Sequence, residues 1–290
     1  MESTINGVQL TCPYCDAHPP VEYILEHRLF ICPVCKRQYN EWDGKPCFLD
    51  KKSVSVWAEP YEKFKKKRWK TLEKLYLILK APRIKSKRRF SHLSLLHSLA
   101  QNNSFYKALY IGYNQPFEDK YRKNIIELEV VPKEHVDVVS QGEYIPFPNN
   151  SFDLIVISGV IEHTSYPFKV IEESYRILKK GGMLYVSSPW VYPYHGGDNY
   201  RFSEEGLRIL CNQFGIIEIG SLDGPLHALG IFLIHYVSNS LSFGNKYLRY
   251  ILAVPINWIL LPLFIIDIFV NRQKKSSYVL DANIYAVAIK

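Results

Sequence analysis

The sequence lacks the features of exported proteins and of simple membrane-spanning proteins. Residues 1–10 have neither a basic start nor an apolar core, so we expect no signal peptide. Six cysteines in such a chain indicate a reducing compartment rather than a disulfide framework, and we therefore expect a cytoplasmic protein. Residues 250–266 contain no charge, but this stretch is at the lower length limit for a membrane-spanning helix and is interrupted by Pro255 and Pro262.

Acidic residues are scarce in one region of the chain. Residues 61–90 contain thirteen Lys or Arg and two Glu, a local net charge of +11 in a chain whose total is +8. A basic segment of this kind favours a phosphate-rich partner, either anionic lipid at the inner face of the cell membrane or nucleic acid. A solvated, tethering helix is the alternative.

The length and composition fit one α/β domain with a small additional module. The chain has 290 residues, of which 47% are hydrophobic, and this is enough for a sizeable packed core. Changes in composition predict three regions: a cysteine-containing module at 1–50, a basic amphipathic helical connector at 51–104, and the main domain at 105–290.

Two C-x-x-C pairs lie near the amino terminus, Cys12 with Cys15 and Cys32 with Cys35. Each pair presents two thiolates at one point, and two facing pairs give the tetrahedral sulfur coordination that Zn²⁺ prefers. The spacing therefore predicts a structural zinc ribbon with four protein ligands and no open position. Two redox-active dithiols, or cysteines without a shared role, are the alternatives.

The connector combines aromatic and basic residues at helical spacing. Its apolar positions recur every three or four residues, while lysines occupy the other face. These apolar positions are Trp57, Tyr61, Phe64, Trp69, Leu72, Leu75, Tyr76 and Leu79. The pattern indicates a helix docked on its own domain, with contact to lipid as the alternative.

The main domain contains a strand, a crossover helix and a second strand in sequence. An apolar run at 152–157 is followed by a helical stretch at 167–178, a glycine stop at 181–182 and a second apolar run at 183–186. This is the parallel unit of a doubly wound α/β sheet. Further strands are predicted at 107–112, 124–129, 136–139, 215–220 and 278–289.

Three segments around this unit carry a family resemblance. They read IPFPNNSFDLIVISGVIEH at 145–163, YRILKKGG at 175–182 and PYHGGDNYRFSEEGL at 193–207. They resemble the class I S-adenosylmethionine (SAM)-dependent methyltransferases, and more narrowly the methyltransferase type 11-like branch found with genes for surface-polysaccharide synthesis. The resemblance implies a Rossmann-like, seven-stranded α/β sheet with helices on both faces. It also implies a SAM cofactor and methyl transfer to a polar acceptor such as a glycan or a glycolipid intermediate.

The resemblance further assigns cofactor-binding positions at the ends of the first four strands. They are Gly112, Asn114, Glu129, Gln141, Gly142 and Ser158. Glu129 stands where the family hydrogen-bonds the ribose hydroxyls, and Gln141 stands where it contacts the adenine amino group. The first loop departs from the family pattern, because Tyr110 replaces an acidic residue and Pro116 follows closely.

Methyl transfer to a hydroxyl or an amine requires a group that removes a proton. Ligands of such sheets bind beyond the carboxyl ends of the strands, which selects three stretches of this chain. They are residues 158–163, 189–201 and 222–227. His195 is the first candidate for the general base, with Asp198 orienting it, and His163 is the second. The structural alternative is that His163 caps a turn and that Asp198 pairs with Arg201.

An apolar helical insertion is predicted at about 226–270, before the final strand. A single membrane crossing would leave that strand on the far side of the bilayer from its sheet. We therefore expect a helical hairpin packed on the domain or on a second subunit, as in a homodimer, or a segment lying in the membrane interface.

Two other functions remain open for this fold. The substitutions in the first loop favour a methyltransferase-fold protein without catalysis that serves as a binding or assembly module. A zinc ribbon before this fold also occurs among ribosomal RNA enzymes, which keeps an rRNA or tRNA methyltransferase in consideration. The stretch at 158–160 lacks the Asn/Asp-Pro-Pro-aromatic signature of many base-methylating enzymes.

Overall fold

The computed structural model describes residues 3–66, 75–76, 78–81, 91–112, 117–273 and 280–290. Most of the basic segment at 61–90, including Trp69 and Leu72, therefore lies outside the described residues, as do Asn114 and Pro116 of the first loop. All structural statements below concern the described part of the chain.

The amino-terminal module is a set of short antiparallel strands. They are β1 (Thr4–Ile5), β2 (Val8–Gln9), β3 (Glu22–Ile24), β4 (Leu29–Ile31), β5 (Gln38–Trp42) and β6 (Lys45–Pro46). Strands β1 and β2 pair with each other, and β3 to β6 form a four-stranded sheet. The β5–β6 turn places Asp43 and Gly44 at φ 49° and 74°, the left-handed conformation that suits a tight hairpin.

In the described residues, two longer helices lie between this module and the main sheet. Helix α1 spans Lys51–Lys66 and α2 spans His92–Asn102. Ser91 caps α2, because its hydroxyl accepts a hydrogen bond from Ser94 N at 3.1 Å while the Ser94 hydroxyl accepts one from Ser91 N at 2.8 Å. This reciprocal pair is a capping box, and it fixes where the helix begins.

The main domain is built on a seven-stranded sheet. Its strands are β7 (Ala108–Ile111), β8 (Ile125–Glu129), β9 (Val138–Val139), β10 (Phe152–Ser158), β11 (Leu178–Pro189), β12 (Gly215–Asp223) and β13 (Asn283–Ile289). They are arranged β12-β13-β11-β10-β7-β8-β9. Strand β13 is antiparallel to both of its neighbours, whereas the other pairings are parallel. The predicted seven-stranded α/β fold is confirmed.

Helices cover both faces of this sheet. Besides α2, the helices that pack on the sheet are α3 (Asp119–Arg122), α4 (Pro167–Ile177) and α5 (Glu204–Leu210). Helices α4 and α5 pack with the inner residues of β10 and β11 in one apolar cluster, while α2 and α3 pack in the other. Strands buried on both faces read as continuous apolar runs, and this is why β10 was evident from its sequence.

Several element boundaries differ from the sequence predictions by a few residues, and the final strand begins at Asn283 rather than at 278. The crossover helix ends at Ile177, and Leu178 already has an extended conformation that begins β11, so Gly181 and Gly182 lie within the strand rather than after the helix. Strand β12 continues to Asp223, because its pairing with β13 extends to Asn283.

The amino-terminal module is joined to the sheet at its β9 edge. Cys47 forms a parallel bridge with Val139, and Phe48 N donates a hydrogen bond to Val139 O at 2.8 Å. Thr11 N donates to Pro146 O at 3.0 Å. Apolar residues of the module, such as Phe30, belong to the same buried cluster as β7, β8 and β10. The module thus protects an edge strand and shares the core of the domain.

Three helices form the insertion between β12 and β13: α6 (Pro225–Leu241), α7 (Lys246–Ile259) and α8 (Leu261–Gln273). The buried Asp267 carboxylate accepts hydrogen bonds from Gly224 N at 2.9 Å and Leu226 N at 3.0 Å, so α8 caps the start of α6. Among the described residues, no single helix is long and apolar enough to span a membrane, whereas α7 with α8 up to Asp267 meets both conditions but bends by 52° at the junction.

Candidate active site

A cavity of about 570 Å³ opens at the carboxyl ends of β10, β11 and β12. It brings together the three stretches that the sequence selected as site segments. Ser158 and Glu162 follow β10, Tyr192 and His195 follow β11, and His227 follows β12. The crevice beyond the strand ends is where open α/β sheets bind their ligands.

The turn after β10 carries the first group of polar side chains. Ser187 donates its hydroxyl hydrogen to Ser158 Oγ at 3.0 Å, which links the ends of β10 and β11. Gly159 adopts φ 67° and lets the chain leave the sheet sharply. Glu162 and His163 follow on this turn, and the backbone oxygen of Glu162 accepts hydrogen bonds from the next loop at Asn199 N and Tyr200 N.

Asp198 organises the loop after β11. Its Oδ2 accepts a hydrogen bond from Arg201 Nη2 at 2.6 Å and another from His195 N at 3.1 Å, and the same oxygen lies 3.1 Å from His195 Nδ1. Its Oδ1 lies 3.3 Å from His163 Nδ1. One carboxylate therefore contacts both candidate bases, as well as the arginine that the structural alternative proposed.

The histidine pair differs in its partners. His163 Nδ1 also lies 3.1 Å from Gly197 O, and the backbone N of His163 closes the turn by donating to Val160 O at 2.8 Å. The two imidazole rings lie 5.0 Å apart at 76°. Burial lowers the pKa of His195 despite the opposing effect of Asp198, so this imidazole is neutral near pH 7 and able to accept a proton.

Opposing effects set the ionisation of the two carboxyl groups. Burial alone would raise the pKa of Asp198, but the hydrogen bond from His195 N and the one from Arg201 bring it below its ordinary value. Glu162 has a side chain that is 1% exposed, and burial raises its pKa. Its Oε2 has no hydrogen-bond partner among the described residues.

At two glycines assigned to the cofactor site, close packing by neighbouring side chains explains why the residue is glycine. Gly112 ends β7 at φ 73°, and a Cβ there would lie 2.0 Å from Val160 Cγ2. At Gly142 a Cβ would lie 3.1 Å from Val170 Cγ1 on helix α4. Both positions thus require a glycine or favour one even without a ligand.

The polar groups at the ends of β8 and β9 have partners within the chain. Glu129 accepts hydrogen bonds from Lys133 Nζ at 2.7 Å and from Val130 N at 2.9 Å. Gln141 Nε2 donates to Ser53 Oγ of α1 at 3.2 Å. A carboxylate has about four acceptor sites and an amide oxygen has two, so both side chains retain capacity to accept from a ribose and an adenine. This capacity matches what SAM would require of them, although neither side chain lines the cavity at the ends of β10, β11 and β12.

Tyr110 occupies the position of the lost acidic residue, and its side chain is fully buried. Its ring lies 4.6 Å from that of Phe117 and 5.8 Å from that of His92. The residue belongs to the apolar cluster beneath α2. A buried aromatic side chain thus stands where the family pattern has an acidic residue.

The cavity has a second wall that the sequence did not assign to a site. Ile234 and His235 of α6, Asn257 of α7 and Phe264 of α8 line it, together with Tyr76 of the connector. The rings of Tyr76 and Tyr250 lie 5.4 Å apart, and Trp258 Nε1 donates to Leu79 O at 2.8 Å, so this part of the connector docks on the insertion. Only long-range packing brings these residues to the site, and no local pattern signals it.

The four amino-terminal cysteines converge, with all sulfur atoms within 4.8 Å of one another. The Cys12–Cys35 and Cys15–Cys32 Sγ distances are both 3.8 Å. A tetrahedral Zn²⁺ with Zn–S bonds of about 2.3 Å places its sulfurs about 3.8 Å apart, so these residues fit the ion. The Tyr39 hydroxyl lies 2.9 Å from Cys12 Sγ and supplies a supporting contact.

The strand order, with the last strand inserted antiparallel between the fifth and sixth of the main sheet, defines the class I methyltransferase fold. Residues 96–186 match the family model described as "Methyltransferase domain". The match covers about a third of the 290-residue chain, so this region is similar to methyltransferase domains.

Similar proteins match short parts of the chain. A mitochondrial 2-methoxy-6-polyprenyl-1,4-benzoquinol methylase from Caenorhabditis elegans is 35% identical over 25% of this chain and 26% of its own length. A ubiquinone/menaquinone biosynthesis C-methyltransferase from Enterobacter sp. (strain 638) is 30% identical over 26% of this chain and 39% of its own length. The chain thus spans well under half of these curated relatives.

Among solved structures, phosphoethanolamine N-methyltransferase 2 from Haemonchus contortus, in complex with S-adenosyl-L-methionine, is 15% identical. It aligns with a TM-score of 0.40 over 68% of this chain and 52% of that chain.

Proposed function

We propose that this protein is a SAM-dependent methyltransferase that acts on a polar group of an amphipathic acceptor. The observation that carries the proposal is the cavity at the carboxyl ends of β10, β11 and β12, in which Glu162 and His195 face the crevice. The family of residues 96–186 supports the reaction class. When bound, SAM supplies an electrophilic methyl group on a positively charged sulfur.

The chain's own residues bind the two substrates and accept a proton. Glu129 accepts hydrogen bonds from the ribose hydroxyls, and the amide oxygen of Gln141 accepts one from the adenine amino group. His195, neutral because burial lowers its pKa, takes the proton from the acceptor hydroxyl or amine as the acceptor atom bonds to the methyl carbon. Asp198 fixes the orientation of the imidazole through the 3.1 Å contact with Nδ1.

The two walls of the cavity indicate an acceptor with a polar head and an apolar carrier. The sheet side presents hydroxyl, carboxylate and imidazole groups, whereas the insertion contributes Ile231, Ile234 and Phe264. The outer surface of the insertion is also apolar, with Ile251, Ile259 and other side chains more than half exposed. A lipid-linked glycan matches this combination, and the relatives named for polyprenyl benzoquinol and for ubiquinone/menaquinone are consistent with an apolar carrier.

The exposed apolar face of the insertion supports a location at the inner face of the cell membrane. A basic segment at 61–90 supplies a second attachment signal for anionic lipid, and two signals are what stable peripheral binding requires. The competing occupant of the same face is a second copy of the chain.

The first test is calorimetric titration of the zinc-loaded protein with SAM and with S-adenosylhomocysteine. We expect micromolar binding in the wild type, loss of binding in Glu129→Ala, and unchanged binding in the control Glu134→Ala at an exposed position of the following loop. A screen of lipid-linked glycans against sugar nucleotides then identifies the acceptor, and the apolar wall predicts turnover of the lipid-linked form.

A binding module without catalysis is the second candidate. The buried Tyr110 favours it, because an aromatic side chain stands there in place of the acidic residue of the family pattern. Absence of SAM binding up to millimolar concentration would decide for this alternative. Binding of RNA with a steep dependence on salt would instead revive the RNA methyltransferase.

A further inference from the structure

A second cluster of metal-ligating side chains lies in the candidate active site, far in sequence from the cysteines. Glu162, His163 and His195 each offer one ligand atom, and these atoms all lie within 4.8 Å of one another. Glu162 Oε1 lies 3.9 Å from His163 Nε2. Metal–ligand bonds of about 2.0–2.2 Å separate neighbouring ligands by roughly 3–3.5 Å, so small side-chain movements complete a coordination sphere.

The surroundings of the two imidazoles favour the tautomer that metal binding requires. Asp198 oxygens lie 3.1 Å from Nδ1 of His195 and 3.3 Å from Nδ1 of His163, and His163 Nδ1 hydrogen-bonds Gly197 O at 3.1 Å. The hydrogen bond to Gly197 O keeps the proton of His163 on Nδ1, and the nearby carboxylate favours the same position in His195, so the Nε2 lone pairs are available. A carboxylate behind a ligating imidazole is the common supporting arrangement in metal sites, and here one carboxylate serves two rings.

Glu162 supplies an independent indication of a ligand. Its side chain is 1% exposed, yet Oε2 has no hydrogen-bond partner among the described residues, and the residue lines the cavity. An unpaired carboxylate buried in this way is unfavourable unless a cation or a donor meets it. The histidine side chains are about one-third exposed, which leaves a path for an ion from solvent.

We propose that Glu162, His163 and His195 bind a divalent first-row transition-metal ion, with its remaining positions open to the cavity. Two imidazoles and one carboxylate form a donor set for ions such as Co²⁺, Zn²⁺ or Fe²⁺ rather than for Mg²⁺ or Ca²⁺, which prefer oxygen ligands. Three protein ligands leave room for water or substrate, whereas the four-cysteine site is closed.

The role of this ion rests on the proposed function, but its binding does not. In a methyltransferase, the ion binds the acceptor oxygen in place of a water, and the hydroxyl proton leaves to water in the open cavity. The oxygen then bonds to the methyl carbon while the carbon–sulfur bond breaks and S-adenosylhomocysteine departs. In this arrangement the metal ion activates the acceptor, and His195 acts as a metal ligand instead of as the general base.

Metal binding is tested on full-length protein that carries one zinc per chain, by dialysis against Co²⁺ followed by elemental analysis and absorption spectroscopy. Chelation first removes any zinc beyond that one ion, because Zn²⁺ binds such a site more tightly than Co²⁺. We expect one zinc and one cobalt per chain, with cobalt d–d bands and no thiolate-to-cobalt charge transfer. Glu162→Gln and His195→Ala retain zinc but lose cobalt, and Asp198→Asn weakens cobalt binding about 10- to 100-fold. The control His235→Ala, a cavity histidine outside the cluster, keeps both ions.

Three results overturn the inference: no cobalt bound by the folded wild type, equal cobalt in Glu162→Gln, or a charge-transfer band that places cobalt on the cysteines. Circular dichroism of each variant confirms that cobalt loss is not unfolding. SAM calorimetry is run on the same samples. Cobalt binding without SAM binding refutes the proposed function and leaves the metal site standing, and SAM binding without cobalt does the reverse.

Discussion

The amino-terminal module and the helical insertion are joined to opposite edge strands of the main sheet and use their apolar residues in opposite ways. The module adds a bridge to β9 at Val139 and buries Phe30 and Phe48 in the core of the domain. The insertion follows β12 and leaves Ile251, Ile259 and Phe243 largely exposed. The module extends the core of the domain, whereas the insertion forms an exposed apolar surface and one wall of the cavity.

This difference suggests a division of labour between the two additions. Burial against the sheet ties the module's stability to that of the whole domain, so changes in the module should act on folding. The insertion makes most of its contacts within itself and around the cavity, so changes there should act on recognition. Four variants test this distinction, from the largest expected effect on stability to the smallest.

The largest effect is expected from Cys35→Ser. Cys35 is an exposed member of the cysteine cluster, so the substitution removes a zinc ligand with little loss of packing. Structural zinc supplies on the order of 10 kcal/mol to small modules, so we expect zinc loss and a fall of several kcal/mol in the free energy of unfolding. Elemental analysis and urea denaturation measure the two quantities.

The control is Val34→Ser, an exposed residue of the same turn, which should keep its zinc and its stability. A Cys35→Ser protein that unfolds at the wild-type urea concentration would show that the module contributes little to the domain. The conclusion that changes in the module act on folding would then be wrong.

The second effect concerns Glu127 in β8, the strand beside the edge that the module covers. Burial raises its pKa to about 7, and neither carboxylate oxygen has a hydrogen-bond partner among the described residues. Because the folded pKa exceeds the unfolded value, the group favours the folded state at low pH, and stability is lost as pH rises toward 7. Removing the ionisation should therefore stabilise the protein most at alkaline pH.

We expect Glu127→Gln to raise the free energy of unfolding by about 3 kcal/mol at pH 8 and by about 1 kcal/mol at pH 5.5. Urea denaturation at both pH values measures the difference, with the exposed Glu134→Gln as control. An equal effect at both pH values would mean that Glu127 does not titrate in this range in the folded protein.

The third effect lies inside the insertion, at Gly230. A Cβ at this position would lie 2.2 Å from Phe264 Cε1, so α6 and α8 approach closely there. We expect Gly230→Val to destabilise the protein by about 1–3 kcal/mol through overpacking. It should also alter the cavity, because Phe264 lines it.

Thermal unfolding compares this variant with Leu229→Val, which places the same side chain at the adjacent, half-exposed position. Similar melting temperatures for the two variants would indicate that α6 and α8 separate easily. The insertion would then be a looser structure than its contacts suggest.

The smallest effect on stability is expected from the double substitution Ile251→Asp and Ile259→Asp. Both side chains are exposed, by 63% and 74%, so the free energy of unfolding should change by no more than about 0.5 kcal/mol per site. Binding to vesicles that contain phosphatidylglycerol should fall at least about tenfold, since each large apolar side chain contributes about 1.5–3 kcal/mol when buried. Vesicle sedimentation measures it.

Ile217→Asp is the control, an exposed apolar residue on β12 outside the insertion, and it should leave vesicle binding unchanged. A different result would assign this face to a subunit interface: wild-type protein that does not bind vesicles but sediments as a dimer, with the double variant sedimenting as a monomer.

Local pattern was sufficient for much of the fold. Strand β10 and helix α4 are buried by the regular placement of their apolar residues, and such periodicity is visible within a short window. The convergence of the four cysteines was also predictable, because two C-x-x-C turns at this spacing usually form one shared site. In both cases the interactions that define the structure are encoded by residues close in sequence.

The candidate site was only partly accessible from the sequence, because it depends on long-range packing. His195 lies 32 residues after His163, and Asp198 joins them through contacts that no spacing rule predicts. Glu162 fell within the predicted site stretch at 158–163 without a role of its own, and its buried, unpaired oxygen became apparent only in three dimensions. The wall formed by the insertion was likewise absent from the sequence prediction.

The bridge between Cys47 and Val139 also has a consequence for the order in which the protein is made. Translation proceeds from the amino terminus, so the module emerges before its partner strand, which follows about ninety residues and roughly 5–20 s later at ribosomal speeds. A module that has folded by then offers the emerging β9 strand an edge with which to pair. We therefore expect a shortage of zinc during translation to leave this strand exposed to neighbouring polypeptides.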